Sequence, residues 1–195
     1  MSGQITRKAA TGEPGNKGEF GTTRRGESQI SVGLPADVHP EAVIDPRAQL
    51  GQGATVGAFS VVSSRSRVGD RTEIGQRVRI WRGAEVGDDV RLGEGTVMLD
   101  GSSVGNGSRI YGARIENGAK VGQDVHLSGG CTIHPDAEVG DGAHLGAGCS
   151  IGWGAKVAPG ADVPAGVVVP DGKTFTRRSG SGRAGRDPRG STPRT

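Results

Sequence analysis

Four histidines, two cysteines and six aromatic side chains supply most of the reactive groups in this 195-residue chain. His134 lies in CTIHPDAEV and Glu116 in RIENG. A carboxylate held beside an imidazole orients the ring and raises its basicity, which makes the pair a candidate general base. Arg109 and His126 are a second candidate group, suited to an anionic ligand or, equally, to a solvated surface. Trp81 and Leu99 offer apolar area to a substrate. His39, in VHP, reads as a surface or capping residue. Cys131 and Cys149 are 18 residues apart, a spacing that leaves a disulfide open, although two buried thiols filling small core positions fit better. Trp153 and Phe59 read as packing rings. Whether any of these residues meet depends on the element that carries them.

That element is a repeat. From Val38 to Ile110 an aliphatic residue or Met recurs every six residues; one step of five leads to Ile115, and the six-residue step resumes to Val169, giving 23 repeats. Two positions before each stands Ala, Ser, Thr, Val or Cys, from Ala36 to Val167. Neither a 3.6-residue period nor simple alternation explains this spacing. A short strand with two inward residues, followed by a corner where Gly tolerates a tight backbone, does explain it.

Composition agrees and excludes several classes. With 37 Gly, 10 Pro and 32% hydrophobic residues, a wide core is out of reach, so the chain is either unstructured or a repeat fold. Gly does not recur at every third position, which excludes collagen. There is no run long enough for a membrane helix and no apolar leader at the start, so no membrane association is expected. Two Cys without a signal peptide point to a reducing, cytoplasmic setting. Residues 34–172 carry 12 basic and 17 acidic side chains, whereas 173–195 carry seven basic and one acidic. The expected organisation is a Gly-rich basic leader at 1–33, a repeat domain at 34–172 and an Arg/Gly-rich tail at 173–195, both ends disordered. Nucleic-acid binding by the tails is not the favoured reading, because Phe175 is their one interleaved aromatic on the C-terminal side.

The repeat resembles that of the hexapeptide-repeat superfamily, which implies an all-β fold: a single-stranded, left-handed parallel β-helix with three hexapeptides per coil. Stacking every third repeat then builds columns. One reads Arg91, Arg109, His126, His144, Asp162. Corner residues after the third face read Gly51, Gly69, Gly87, Gly105, Gly122, Gly140; those after the second read Asp45, Ser63, Trp81, Leu99, Glu116, His134. Outward Val43, Val61 and Val97 join Trp81 and Leu99 in an apolar strip, a candidate interface. The resemblance implies a homotrimer with sites between protomers.

The opening VHPEAVIDPRAQLGQGATVGAFSVV is similar to UDP-N-acetylglucosamine acyltransferases, in which a His four residues before an aliphatic position is the base. SGGCTIH resembles that motif, with Gly129 at the base's place; Asp100 stands at the equivalent place two coils earlier. VGNGSRIYGARIENG, within residues 104–118, is similar to γ-class carbonic anhydrase relatives, but Asn106, Tyr111 and Leu99 replace the zinc ligands, so no metal site is expected. The expected function is transfer of an acyl group from an acyl-CoA or acyl-carrier thioester, as co-substrate, to a small acceptor, sugar-linked or free. His134 serves as base, Glu116 as its orienting partner, and Trp81, Leu99, Arg109 and His126 bind substrate. The alternative is a non-catalytic solenoid scaffold, or a carbonic-anhydrase-like fold without metal.

Overall fold

The computed structural model describes residues 35–176. Among them are 24 two-residue strands, the first at Asp37–Val38 and the last at Thr174–Phe175. Each strand pairs in parallel with the strands three places before and after it, which generates three eight-stranded sheets. The first sheet begins at Asp37–Val38, the second at Val43–Ile44 and the third at Gln49–Leu50. The chain is thus a parallel β-helix of eight coils with one strand per sheet in each coil.

Every aliphatic residue of the six-residue series is the second residue of a strand, and from Val56 to Val169 these side chains are buried. The small residues two positions earlier point inward beside them. Where these are Ser or Thr, backbone groups inside the coil satisfy the hydroxyl. Ser60 Oγ donates to Gly75 O at 2.7 Å and accepts from Val78 N–H at 3.0 Å. Thr72 and Ser108 repeat the arrangement with Gly87 and Gly122 as acceptors. Among the described residues no buried side-chain nitrogen or oxygen lacks a partner, as a core this narrow requires.

Corner chemistry accounts for much of the Gly content. At Gly105 an added Cβ would lie 2.7 Å from the backbone of Gly122 and Gln123 in the next coil. The single five-residue step is absorbed at Tyr111–Gly112, where Gly112 takes a φ of 54°. Register is kept across it: Val97 pairs with Arg114, and Arg114 with Thr132.

Two sequence expectations change. Thr174–Phe175, assigned above to the tail, is a further strand paired with Lys156–Val157, and Phe175 packs against the core. Phe175 keeps the six-residue step after Val169, but Lys173 replaces the small residue, which disguised the repeat. Phe59 and Trp153 are more than half exposed and do not serve as packing rings. Residues 1–33 and the tail beyond 176, read above as disordered, lie outside the described residues. Cys131 and Cys149 are buried free thiols; their Sγ atoms donate to Gly146 O and Pro164 O, each at 3.0 Å. Burial pushes the Cys131 thiol above its ordinary pKa.

Candidate active site

The corner leaving the second sheet carries Glu116 and His134 one coil apart. Backbone bonds fix both Cα positions: Glu116 N–H donates to Ile133 O and His134 N–H to Ile151 O, each at 2.9 Å. Each carbonyl also accepts from an Ala three residues on, Ala119 for Glu116 and Ala137 for His134, which closes the turn. On this rigid corner His134 Nδ1 lies 3.3 Å from Glu116 Oε2. The other carboxylate oxygen, Oε1, accepts from Arg114 Nε at 2.9 Å. On its far side the imidazole presents Nε2 to Ser150 Oγ at 3.1 Å.

A carboxylate only accepts, so the proton on the neutral ring belongs on Nδ1, where it donates to Glu116. Nε2 then holds a lone pair that accepts from the Ser150 hydroxyl. The imidazole is one-third exposed and Glu116 one-fifth, so the pair is partly shielded from water. The arrangement can take a proton from a hydroxyl, an amine or a thiol.

Sequence reasoning found two of these four residues. It missed Arg114 and Ser150, which are strand residues on the outward column of the second sheet, Val97, Arg114, Thr132, Ser150, Val168. The available signal was positional: each stands two residues before a corner residue in the column of Glu116 and His134.

The remaining expected site residues lie at other places. Leu99 is half-buried, one coil below Glu116. Trp81 is three coils below His134, about 14 Å along the stack at one strand spacing per coil. It lines a groove of about 570 Å³ with Val43, Pro46, Val61 and Arg82 that does not include His134. Arg109 and His126 are on the first sheet, as register partners, with the Tyr111 and His126 ring centroids 5.5 Å apart and those of His126 and His144 6.0 Å apart. Within one chain the corner between the second and third sheets lies opposite the first, so these two residues do not converge on His134. A groove of about 590 Å³ over the third sheet, between Lys120, Glu138, Lys156 and Thr174, does not include His134 either.

The positions that resemble zinc ligand sites do other work. Asn106 Oδ1 accepts the backbone N–H of Asp88 at 2.9 Å, one rung of a ladder in which Asp70 and Asp141 cap the coils below them in the same way. Tyr111 and Leu99 are on the two other corners. Among the described residues no three His, Cys, Asp or Glu side chains are grouped to hold a metal ion, and no helix is long and apolar enough to cross a membrane.

Comparison with known proteins agrees with this architecture. Residues 130–163 match the model for bacterial transferase hexapeptides (six repeats), and residues 66–100 that for the hexapeptide repeat of succinyl-transferase. The chain has the repeat and the fold of the hexapeptide-repeat superfamily, the β-helical class that includes these transferases. Among solved structures it is similar to the acetyltransferase domain of PglB from Neisseria gonorrhoeae, with 25% identity and a TM-score of 0.50 over 72% of this chain and 57% of that one. It also matches perosamine N-acetyltransferase from Caulobacter crescentus, at 24% identity and a TM-score of 0.48 over 71% of this chain and 54% of that one. A third match is UDP-N-acetylglucosamine acyltransferase from Campylobacter jejuni, at 23% identity and a TM-score of 0.44 over 69% of each chain. The chain spans little more than half the length of the first two structures. No curated protein sequence matches it.

Proposed function

We propose that the chain is an acyltransferase in which His134 is the general base for moving an acyl group from an acyl-CoA or acyl-carrier thioester to the hydroxyl or amine of a small, sugar-linked acceptor. The observation that carries this reading is the Glu116–His134 pair, 3.3 Å apart on a rigid corner, with Nε2 on the side of the ring away from the carboxylate. The family models and the similarity to the PglB acetyltransferase domain support the reaction class. In this reading three copies pack along Val43, Val61, Val97 and Trp81. Arg109 and His126 reach the base from a neighbouring copy, while Leu99 lines the base's own side.

The test is thioester turnover by the wild type over a panel of acyl-CoA and acyl-carrier donors with amino-sugar and nucleotide-sugar acceptors. His134→Ala should lower kcat by about 10²–10⁴-fold, the range for loss of a general base. Unchanged turnover would remove His134 from the mechanism. No turnover in the wild type would leave the non-catalytic scaffold, a reading that the exposed Val43, Val61 and Trp81 favour.

A further inference from the structure

Both nitrogens of the His134 ring are engaged, by a carboxylate on one side and a hydroxyl on the other. Among the described histidines this arrangement is particular to His134. His39 Nδ1 accepts a backbone N–H from Glu41 at 3.2 Å, and His126 and His144 meet other rings. Nucleophile to base is 3.1 Å and base to orienting carboxylate 3.3 Å; that order of groups activates a serine hydroxyl wherever it is built, whatever the fold. Arg114 holds the free oxygen of Glu116 at 2.9 Å, so the carboxylate is anchored at one end and bonded to the ring at the other.

We propose that Ser150 is a nucleophile, activated by His134 and positioned by Glu116, and that acyl transfer by this chain proceeds through an acyl ester on Ser150. The proposal deepens the transferase reading and rests on it for the identity of the acyl donor. Ser150 is half-buried on the outward column of the second sheet. Its register partner one coil below is Thr132, which sets a second hydroxyl beside it. Across that same sheet Arg114 stands two coils below Ser150. Of these two, Thr132, one strand spacing away, is the hydroxyl near enough to donate to the carbonyl oxygen of an attacked acyl group, whereas Arg114, about 10 Å below, is bonded to Glu116.

The chemistry balances without any further reagent. Ser150 Oγ forms a bond to the thioester carbonyl carbon while its proton moves to His134 Nε2. The carbon–sulfur bond then breaks, and the departing thiolate takes that proton. In the second half the acceptor hydroxyl or amine attacks the serine ester and gives its proton to Nε2. The ester bond to Oγ breaks, and Ser150 recovers the proton. Water in place of the acceptor makes the chain a slow esterase.

The experiment treats the full-length protein with a fluorophosphonate probe and, separately, with p-nitrophenyl acetate, and locates adducts by peptide mass spectrometry. The expected result is a near-stoichiometric adduct on Ser150, a burst of p-nitrophenolate equal to the chain concentration, and labelling at least about 100-fold slower in His134→Ala, the lower end of the range for a lost base. Labelling in Glu116→Gln should fall between the two. Circular dichroism and thermal melting verify that each variant folds. Ser150→Cys should restore labelling, by iodoacetamide and in a His134-dependent way, as a merely structural hydroxyl would not. No adduct on Ser150, or one that forms equally fast in His134→Ala, overturns the proposal. So does Ser150→Ala that keeps full, His134-dependent acyl transfer, and this result leaves the transferase reading standing. A Ser150 adduct with no transfer to any acceptor has the opposite meaning: the nucleophile stands and the transferase reading falls.

Discussion

His134 and Gly129 show how a side chain's position on the coil decides its chemistry. Gly129, where the resemblance of SGGCTIH would lead one to expect a base, belongs to the corner leaving the first sheet; His134 is on the next corner. An added Cβ at Gly129 would meet Tyr111 O at 3.6 Å, an ordinary contact. Gly129→His should therefore fold with a stability within about 0.5 kcal/mol of the wild type by thermal melting. Added to His134→Ala it should not restore turnover, because Glu116 is on the other corner. Glu116→Gln removes the fixed carboxylate and should lower kcat more than it changes KM in steady-state kinetics. His134 and Glu116 were legible in the sequence as soon as corner columns were aligned. Arg114 and Ser150 were not, because they occupy the outward strand position, where solvated side chains of any type are allowed. Their part in the site depends on side-chain direction, which the repeat period does not encode.

At the scale of the strand and its corner, two kinds of Gly make different predictions. Gly83 has a φ of +65° with open space around its Cβ position, whereas at Gly105 the Cβ would lie 2.7 Å from the next coil's backbone. Gly83→Ala should cost about 1–2 kcal/mol, the left-handed penalty for a side chain. Gly105→Ala should cost more, since two stacked coils must separate to admit the methyl group. Thermal unfolding of the two variants side by side checks the order, and equal melting temperatures would contradict the corner geometry. The left-handed position itself is not reserved for Gly: Phe59, Arg65, Arg71, Arg77, Asp89, Asp124 and Asp136 occupy it with φ between 51° and 60°. That tolerance blurred the Gly pattern in the sequence, whereas the aliphatic step, set by the core, stayed clear. The exception is the last strand, where Lys173 in place of the small residue, with Phe175 at the aliphatic position, hid the final repeat.

Over the whole molecule, charge ladders between coils link stability to pH. Arg71 donates to both oxygens of Asp89, at 2.8 and 2.7 Å, and holds that carboxylate below the ordinary range. Arg91 does the same to Glu73, and Lys156 donates to one oxygen of Glu138 at 2.8 Å and likewise holds that carboxylate below the ordinary range. A carboxylate with a lowered folded pKa contributes stability that is complete above its unfolded value, about 4, and lost as pH falls through the folded one. The melting temperature should therefore drop as pH is lowered below about 4, and the drop should be smaller in the triple variant Asp89→Asn, Glu73→Gln, Glu138→Gln. All six partners are largely exposed, so the effect should be modest and weaken in high salt. Assembly is tested at the same scale: light scattering should show a trimer for the wild type and a smaller species for Trp81→Glu, and a monomeric wild type would retire the strip as an interface.

The sequence by itself determined the six-residue period, the location of nearly every strand, the five-residue slip and the neighbouring places of Glu116 and His134, because a core only wide enough for two inward side chains per strand imposes its spacing on the chain. The tertiary structure decided what stacking does to the surface. It separated Arg109 and His126 from His134 by putting them on another sheet, assigned Asn106 to a backbone ladder, and aimed His134 Nε2 at Ser150. Those outcomes depend on which way exposed side chains lean between neighbouring coils, and exposed positions are where the repeat leaves the residue type unconstrained.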